Sequence, residues 1–170
     1  SDQYLDDILK LIVTVTANVM DSKICSLWIL DEKERALKIR ATQTMSEEYL
    51  KERSLKLGEG VVGYVAQMNK PLAILDVLKE PRYKEKELAR KESLVSMLSV
   101  PLAAKDKVIG VINCYTSYPH EFTEMERNVL TMVASQAAIC IENTELLVKT
   151  KVVQEELEMR KLVERAKGVM

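Results

Sequence analysis

Apolar residues recur at steps of three and four over two long stretches, one at each end of the chain. The first stretch covers residues 4–20 and predicts an amphipathic helix. The second begins after Thr123, which forms a capping box with Glu126, and no proline or glycine interrupts it before Gly168. A helix of about 45 residues would span nearly 70 Å, whereas a small domain is about 30 Å wide. Its second half must therefore pack on another chain, lead into another domain or stay unsupported.

Short apolar runs between polar turns fill the middle of the chain and predict strands. They form two hairpins and a lone strand, over residues 24–30 with 36–43, 97–104 with 107–117, and 72–77. Short helices are predicted over residues 46–54, with Ser46 as N-cap, and from Val61 to Met68 after a glycine turn. Residues 78–93 predict a charged loop with a short helix. This order of elements indicates an α+β fold with a mostly antiparallel sheet.

Composition places the chain among soluble globular proteins. It has 170 residues, of which 47% are hydrophobic, and a net charge of −1, so no global field attracts nucleic acid or an anionic membrane. No apolar run is long enough to span a bilayer, and the first residues lack the basic and apolar regions of a signal peptide. These features predict a cytoplasmic protein that does not contact a membrane.

Cysteine and histidine usage leaves little material for catalysis or metal binding. Cys25, Cys114 and Cys140 are scattered along apolar stretches, which fits a reducing compartment, and we expect each to be a small core residue. The single histidine, His120, lies before the last helix with no evident partner, which predicts a surface loop residue. The sequence therefore predicts no metal site, no cofactor and no catalytic residue.

A glycine motif from Gly58 to Gly63 matches the GxGxxG pattern of dinucleotide-binding proteins, with Asp76 at the end of the next strand. That pattern needs a buried parallel strand before the first glycine, but two of the five residues before Gly58 are charged. We therefore interpret the glycines as a turn that places the start of a helix against the sheet.

Four segments in order resemble the GAF family of small-molecule sensor domains. They are residues 25–42, 55–77, 96–115 and 122–147, and the combination of GEGVVGYVA, KPLAILDV and SVPLAAKDKVIGVI is specific. The resemblance implies a sheet of about six antiparallel strands, with the terminal helices on one face. It also implies a ligand pocket on the other face, roofed by residues 44–93.

The residues of this implied pocket are predicted from their positions in the roof and on alternate positions of the strands. The candidate ligand-binding residues are Tyr64, Asp76, Tyr83, Met97, Ser99, Asn113 and Tyr115. Asn113 is the strongest candidate, because it is a polar side chain in an otherwise apolar strand and a buried amide needs a partner.

Known ligand classes of the family fit this chain poorly. Cyclic-nucleotide-binding members carry Asn-Lys, then Phe, then Asp-Glu; Asn69-Lys70 and Phe122 match, but Glu126 and Arg127 replace the last pair. Bilin-binding members attach their chromophore to cysteine, and the free-methionine sulfoxide reductases keep reactive cysteines in the roof. Residues 44–93 contain no cysteine, so the resemblance implies a non-catalytic member.

The long C-terminal helix carries the pattern of a coiled-coil or helical-bundle seam. Its predicted dimer residues are Val133, Ala137, Cys140, Thr144, Leu147, Leu157 and Leu162. We expect a parallel homodimer to which Leu5–Val19 of each chain also contributes. Residues 156–170 resemble the opening helix of an ANTAR domain, an RNA-binding antitermination module, through Arg160 or Arg165, Glu164 and residues 166–168.

These observations predict a GAF sensor domain over residues 1–148 and a linker with a truncated ANTAR-like start over 149–170. The main hypothesis is a non-catalytic cytoplasmic sensor that binds a small molecule and signals through a dimeric helix to an RNA-binding output. RNA would bind only through the remainder of the output module. The alternatives are a GAF-fold redox enzyme that uses cysteine, and a dimerisation module of a histidine kinase or cyclase that binds no ligand.

Overall fold

The strands alternate apolar side chains between two faces, and each face is covered by a different part of the chain. A computed structural model describes residues 2–44, 49, 51 and 53–168. The helices are α1 (Asp2–Met20), α2 (Gly60–Met68), α3 (Lys86–Glu92) and α4 (Glu124–Gly168), with a 3-10 turn at Val77–Lys79. The strands are β1 (Ile24–Asp31), β2 (Ala36–Thr42), β3 (Ser54–Lys56), β4 (Leu72–Ile74), β5 (Ser96–Ala104) and β6 (Lys107–Thr116).

The six strands form one antiparallel sheet in the order β3-β2-β1-β6-β5-β4. Helices α1 and α4 cover one face, where Leu9 and Leu130 pack with Leu98 and Ile112 from the strands. The described residues between β2 and β5, apart from the edge strands β3 and β4, cover the other face and are called the roof below. The predicted α+β architecture, with its terminal helices and roof on opposite faces, is confirmed.

Both predicted hairpins and the long helix are present, while the edge strands differ from the prediction. The last helix extends over Glu124–Gly168, which is 45 residues. Ser54–Lys56 pairs with β2 as a strand, although the sequence placed Ser54 at the end of a helix. The predicted cap Ser46 lies outside the described residues. The lone strand ends at Ile74, because Asp76 instead caps the 3-10 turn by accepting from the Leu78 amide at 3.0 Å.

The start of α4 is held by the predicted capping box. The Glu126 amide donates to the Thr123 hydroxyl at 3.1 Å, and the Thr123 amide donates to Glu126 Oε1 at 2.9 Å. His120 Nε2 lies 2.9 Å from both oxygens of the same carboxylate, and the His120 amide donates to Ser96 Oγ at 2.8 Å. His120 therefore has a partner, contrary to the expectation of an isolated loop residue, and it joins α4 to the start of β5.

The Glu126 carboxylate makes the stability of this junction depend on pH. Burial alone would raise the pKa of Glu126, but the Thr123 amide, His120 and the Thr123 hydroxyl together lower it. A carboxyl with a lowered folded-state pKa stabilises the fold above its ordinary pKa of 4.5 and loses that contribution as the pH falls through the folded-state pKa.

We expect Glu126→Gln to reduce the free energy of unfolding by under about 1 kcal/mol near neutral pH, because the carboxylate is partly exposed. The difference from the wild type should shrink in urea unfolding curves as the pH falls through the lowered folded-state pKa of Glu126, since the wild-type carboxyl then becomes protonated. Glu124→Gln, in the same helical turn, is the control. A difference that stays constant with pH would contradict the assignment.

The second half of α4 leaves the domain. Residues 149–168 are all exposed, whereas Leu130, Ala134, Ala138 and Ile141 in the first half are buried against the sheet and α1. Within the described residues, every helix is too short or too polar to cross a lipid bilayer.

Candidate ligand site under the roof

A row of polar side chains crosses the centre of the sheet on its roofed face. Asn113 of β6 lies in register with Ser26 of β1 on one side and with Ser99 of β5 on the other. All three residues are 0% exposed. Neighbouring positions on this face carry the apolar side chains of Trp28, Met97 and others, so the row is a polar interruption of a hydrophobic core.

Two members of this row have no hydrogen-bond partner among the described residues. Among the described residues, none forms a hydrogen bond with the Asn113 amide oxygen, the Asn113 amide nitrogen or Ser99 Oγ. An unsatisfied buried polar group costs about 1–3 kcal/mol, so folded proteins rarely retain one without a reason. Trp28 Nε1 and Arg53 Nε are also buried without a partner in the described part of the chain.

Three tyrosines form the aromatic wall of the site. Tyr115 makes edge contacts with Tyr49 and Tyr83, with ring centroids 6.5 Å and 6.4 Å apart. The Tyr49 hydroxyl donates to Ser26 Oγ at 3.1 Å, and the Tyr83 and Tyr115 hydroxyls lie 3.3 Å apart. Burial raises the pKa of all three phenols. They therefore remain protonated at neutral pH and offer O–H groups to the interior.

Arg53 separates this interior from the surface. Its guanidinium carbon lies 4.4 Å from the Tyr49 ring centroid and 5.4 Å from that of Trp28, in cation–π geometry. One terminal nitrogen pairs with Glu85, and the other donates to the Tyr49 carbonyl at 3.2 Å. The Arg53 and Glu85 side chains are only 16% and 18% exposed, so the ion pair is largely desolvated.

Five of the seven predicted ligand-binding residues lie together on this face. Met97, Ser99, Asn113 and Tyr115 project from the strands, and Tyr83 reaches them from the roof. The sequence left open which alternate set of strand residues faces the roof. In the structure, the set with Met97, Ser99, Asn113 and Tyr115 faces the roof. Their role in ligand binding remains a prediction.

Tyr64 and Asp76 occupy other places. Tyr64 is half-buried on α2, where the Arg82 guanidinium lies 4.3 Å from its ring centroid. Asp76 lines a surface depression with Leu75 and Pro119, and its carboxylate caps the 3-10 turn. Both side chains therefore have local structural roles in the roof.

Sequence reasoning missed five residues of the site: Ser26, Trp28, Tyr49, Arg53 and Glu85. Ser26 and Trp28 alternate on β1 with buried apolar residues, so the period of two carried a signal for them. Arg53 and Glu85 are 32 positions apart in the chain, and only the folded roof brings them together.

Two of the three cysteines are core residues, as the sequence predicted. Cys25 and Cys114 are far apart in the chain but lie in register on β1 and β6, with their sulfur atoms 4.0 Å apart. Both are buried free thiols on the helix-covered face, and burial raises the pKa of Cys25. Cys140 is exposed, which corrects the expectation of a core residue, because its position on α4 faces outward.

At low protein concentration, where single protomers prevail, we expect a thiol-reactive dye to label Cys140 alone in the folded protein and all three cysteines after denaturation, because reaction needs an exposed thiolate. Cys140→Ser should abolish the native labelling. Rapid labelling of Cys25 or Cys114 in the folded state, read by mass spectrometry of tryptic peptides, would show that the sheet opens readily.

The architecture and the sequence together decide the family. The family model for the GAF domain matches residues 2–142. The chain belongs to the GAF domain family. The sheet of six strands, with terminal helices on one face and a roof on the other, is the arrangement that the resemblance implied.

Curated relatives of this GAF domain are longer proteins. The phosphoenolpyruvate-dependent phosphotransferase system protein of Escherichia coli K12 is 25% identical over 142 residues, covering 84% of this chain and 19% of that protein. The Nif-specific regulatory protein of Herbaspirillum seropedicae is 24% identical over 136 residues, covering 77% of this chain and 25% of that protein. The chain thus spans 19% to 25% of the length of these relatives.

Solved structures show the same fold. The GAF domain of a phosphoenolpyruvate-protein phosphotransferase from Coxiella burnetii superposes with a TM-score of 0.77 at 25% identity, covering 85% of this chain and 86% of that chain. A free methionine-R-sulfoxide reductase from Neisseria meningitidis has a TM-score of 0.71 at 18% identity, covering 84% of this chain and 81% of that chain. The second likeness concerns the fold alone.

Proposed function

We propose that this GAF sensor domain binds a small molecule between the sheet and the roof. The observation that carries the proposal is the unpartnered amide of Asn113 beside the unpartnered hydroxyl of Ser99, both 0% exposed. A ligand that supplied their hydrogen bonds would recover the free energy that their burial costs. It would also favour the roof arrangement that encloses it, which is the requirement for a ligand to act as a signal.

The bound state is passed on through α4. The first half of α4 packs on β5, which carries Met97 and Ser99 on its opposite face. A shift of β5 on ligand binding therefore reaches the buried face of α4 directly. Because the same helix continues unbroken to Gly168, its exposed half moves with its packed half.

An exposed apolar stripe on α4 supports a homodimer. Met125, Met132, Ile139, Leu146 and Val153 follow one another at steps of seven and are 48% to 75% exposed, and we call them the heptad stripe. Leu11 and Val15 of α1 share an apolar groove with Met132, so α1 adds to the same surface. A seven-residue repeat is the pattern of a coiled-coil seam. We propose that two copies pair in parallel along the heptad stripe.

The predicted dimer residues divide between this surface and others. Cys140, Leu147 and Leu157 are exposed, and Leu157 lies four residues after Val153 on the side of the heptad stripe. Ala137 and Thr144 are buried within the protomer, and Val133 lines the groove with α1. Leu162 is exposed but lies about 140° around the helix from Leu157, so we assign it to a different surface.

A second apolar stripe points to the output. Val152, Met159, Leu162 and Val163, called the tail stripe, are 46% to 62% exposed. They continue the helix face that Ile141 uses to pack on the sheet, about three turns further along. We propose that they pack on an ANTAR-type RNA-binding output module, whose opening helix residues 156–170 resemble. In this proposal residues 1–148 are the sensor and residues 149–170 lead into that output.

We also propose that the domain has no catalytic activity of its own. Cys25 and Cys114 are buried on the face opposite the candidate site, and Cys140 lies in the groove between α1 and α4. Replacing all three cysteines should leave ligand binding intact, whereas a redox enzyme of this fold would lose its activity.

Asn113→Leu tests the ligand site. The substitution removes an unpaired amide with little change of volume, so we expect the free energy of unfolding to stay equal or rise by about 1–3 kcal/mol. At the same time, the increase of melting temperature that a metabolite panel produces in the wild type should be lost. Thermal shift and native mass spectrometry measure the two effects.

Asn128→Leu, an exposed substitution on α4, is the matched control and should keep the ligand response. The sensor function is refuted if neither the metabolite panel nor a cell extract raises the melting temperature of the wild type or adds a bound mass to it. That result would favour a dimerisation module.

A further inference from the structure

The unpartnered polar atoms of the candidate site are mostly hydrogen-bond donors. Trp28 Nε1, Arg53 Nε and the Asn113 amide nitrogen carry N–H groups without acceptors in the described part of the chain, against one unpartnered amide oxygen and the Ser99 hydroxyl, which can donate or accept. The Tyr83–Tyr115 contact adds to the excess, since a bond between two hydroxyls leaves one O–H to donate elsewhere. A complementary ligand must therefore be rich in acceptor oxygens.

The charge of the site comes from Arg53, and its present counter-ion is replaceable. Removing the carboxylate from this largely buried guanidinium without a substitute would leave an uncompensated charge, which is strongly unfavourable. Glu85 stands at the N-cap position of α3, yet its side chain caps no helix amide. Its carboxylate is therefore committed to Arg53 and not to α3, and another carboxylate could take its place at Arg53.

A basic groove leads to this ion pair from the surface. It has a volume of 440 Å³, and Arg53 and Glu85 line it together with Lys51, Lys84, Lys86 and Lys91. Glu87 is the other acidic lining residue in the described part of the chain. Among the described lining residues, cations thus outnumber anions, and such a field concentrates anions at the entrance.

We propose that the ligand is a small organic carboxylate and that the Glu85 carboxylate occupies the ligand's binding position on Arg53 until the ligand binds. This inference rests on the proposed sensor function and names the ligand class of the same site. The ligand carboxylate pairs with Arg53, including the unpartnered Nε, while the other oxygens of the ligand accept from the Asn113 amide and from the remaining O–H of the Tyr83–Tyr115 pair. Two strand spacings separate β1 from β5, so the ligand spans up to about 10 Å.

The exchange gives the roof two states. With Glu85 on Arg53, α3 is tied to the site through the residue that precedes it. With a ligand carboxylate on Arg53, Glu85 turns to the solvent among the lysines of the groove, and α3 is released from that contact. The ligand therefore acts by replacing Glu85 on Arg53. It binds to the roof state in which Glu85 has turned away and not to the state in which Glu85 holds Arg53, and this difference in affinity is what shifts the equilibrium between them.

Isothermal calorimetry on the full chain tests this exchange with short mono- and dicarboxylates, the neutral amide of each, and inorganic phosphate. We expect at least one carboxylate to bind and its amide to bind at least about 10-fold more weakly, because a hydrogen bond to a charged group is the stronger one. Arg53→Gln should weaken carboxylate binding by about 10- to 100-fold, whereas Glu85→Gln should tighten it, since the competitor is gone.

Arg82→Gln is the matched control, because it removes a roof cation that lies over Tyr64 and pairs with Glu80. It should leave the affinity unchanged. If Arg53→Gln fails to fold, the double variant Arg53→Lys with Glu85→Gln is compared with Glu85→Gln alone. The carboxylate affinity with and without the Arg53 guanidinium is then measured in both cases without the competing carboxylate.

Equal binding of carboxylates and amides, tighter binding of phosphate, or weaker carboxylate binding in Glu85→Gln would overturn the proposal. If the metabolite panel finds only neutral ligands that depend on Asn113, the carboxylate assignment is refuted while the sensor function stands. If no compound binds to the wild type or to Glu85→Gln, both are refuted.

Discussion

Replacing Gly63 by alanine is expected to lower the free energy of unfolding by about 3 kcal/mol or more. A Cβ at this position would lie 2.2 Å from the Lys56 carbonyl oxygen and 3.0 Å from the Gly58 amide nitrogen. Both neighbours are backbone atoms, and the Gly58 amide is already bonded to the Gly63 carbonyl at 2.9 Å. Neither side can yield without moving α2, whose residues Val61 and Val65 belong to the roof core.

Urea unfolding followed by circular dichroism measures this effect. Gly168→Ala is the matched control, since a Cβ there meets nothing within 4 Å, and it should change stability by less than about 1 kcal/mol. If Gly63→Ala proves as stable as Gly168→Ala, the turn is not as tight as the structure shows.

The double substitution Ile139→Asp and Leu146→Asp is expected to convert the proposed homodimer into a monomer. Both residues lie on the heptad stripe and are exposed in the protomer, so the fold should survive. Burial of one such side chain is worth about 1.5–3 kcal/mol, and each pair of copies buries four of them. The dimer dissociation constant should therefore rise by at least about 100-fold, as measured by sedimentation equilibrium.

Leu162→Asp provides the control for this prediction. It introduces the same charge into the same helix, but on the tail stripe, and should leave the dimer intact. A wild-type protein that sediments as a single protomer at high concentration would refute the dimer. Loss of the dimer in Leu162→Asp alone would move the seam to the tail stripe.

Local patterns predicted much of this fold because they depend on few residues at a time. The capping box of Thr123 and Glu126 locates the start of α4, and the missing proline or glycine before Gly168 accounts for its length. Period-two alternation placed Met97 with Ser99 and Asn113 with Tyr115, since neighbours on one strand face opposite sides. The short strand β3 escaped prediction because its three residues become a strand only by pairing with β2.

The contacts that define the candidate site depend on residues far apart in the chain. Cys25 meets Cys114, and Arg53 meets Glu85, only after the sheet and the roof have formed. Tyr64 and Asp76 have residue types that suit a ligand site, but Arg82 and the 3-10 turn use them locally. Residue type and spacing therefore identified Asn113 correctly as buried and polar, while its neighbours needed the folded structure.

The amino-acid sequence by itself determined the helices, the hairpins, the alternation of the strands and the excess length of α4, because hydrophobic periodicity and capping act over a few residues. Only the tertiary structure decided which sheet face lies under the roof and which polar atoms there stay unpartnered. It also separated the heptad stripe from the tail stripe, because the side of a long helix that remains exposed depends on where the rest of the domain packs.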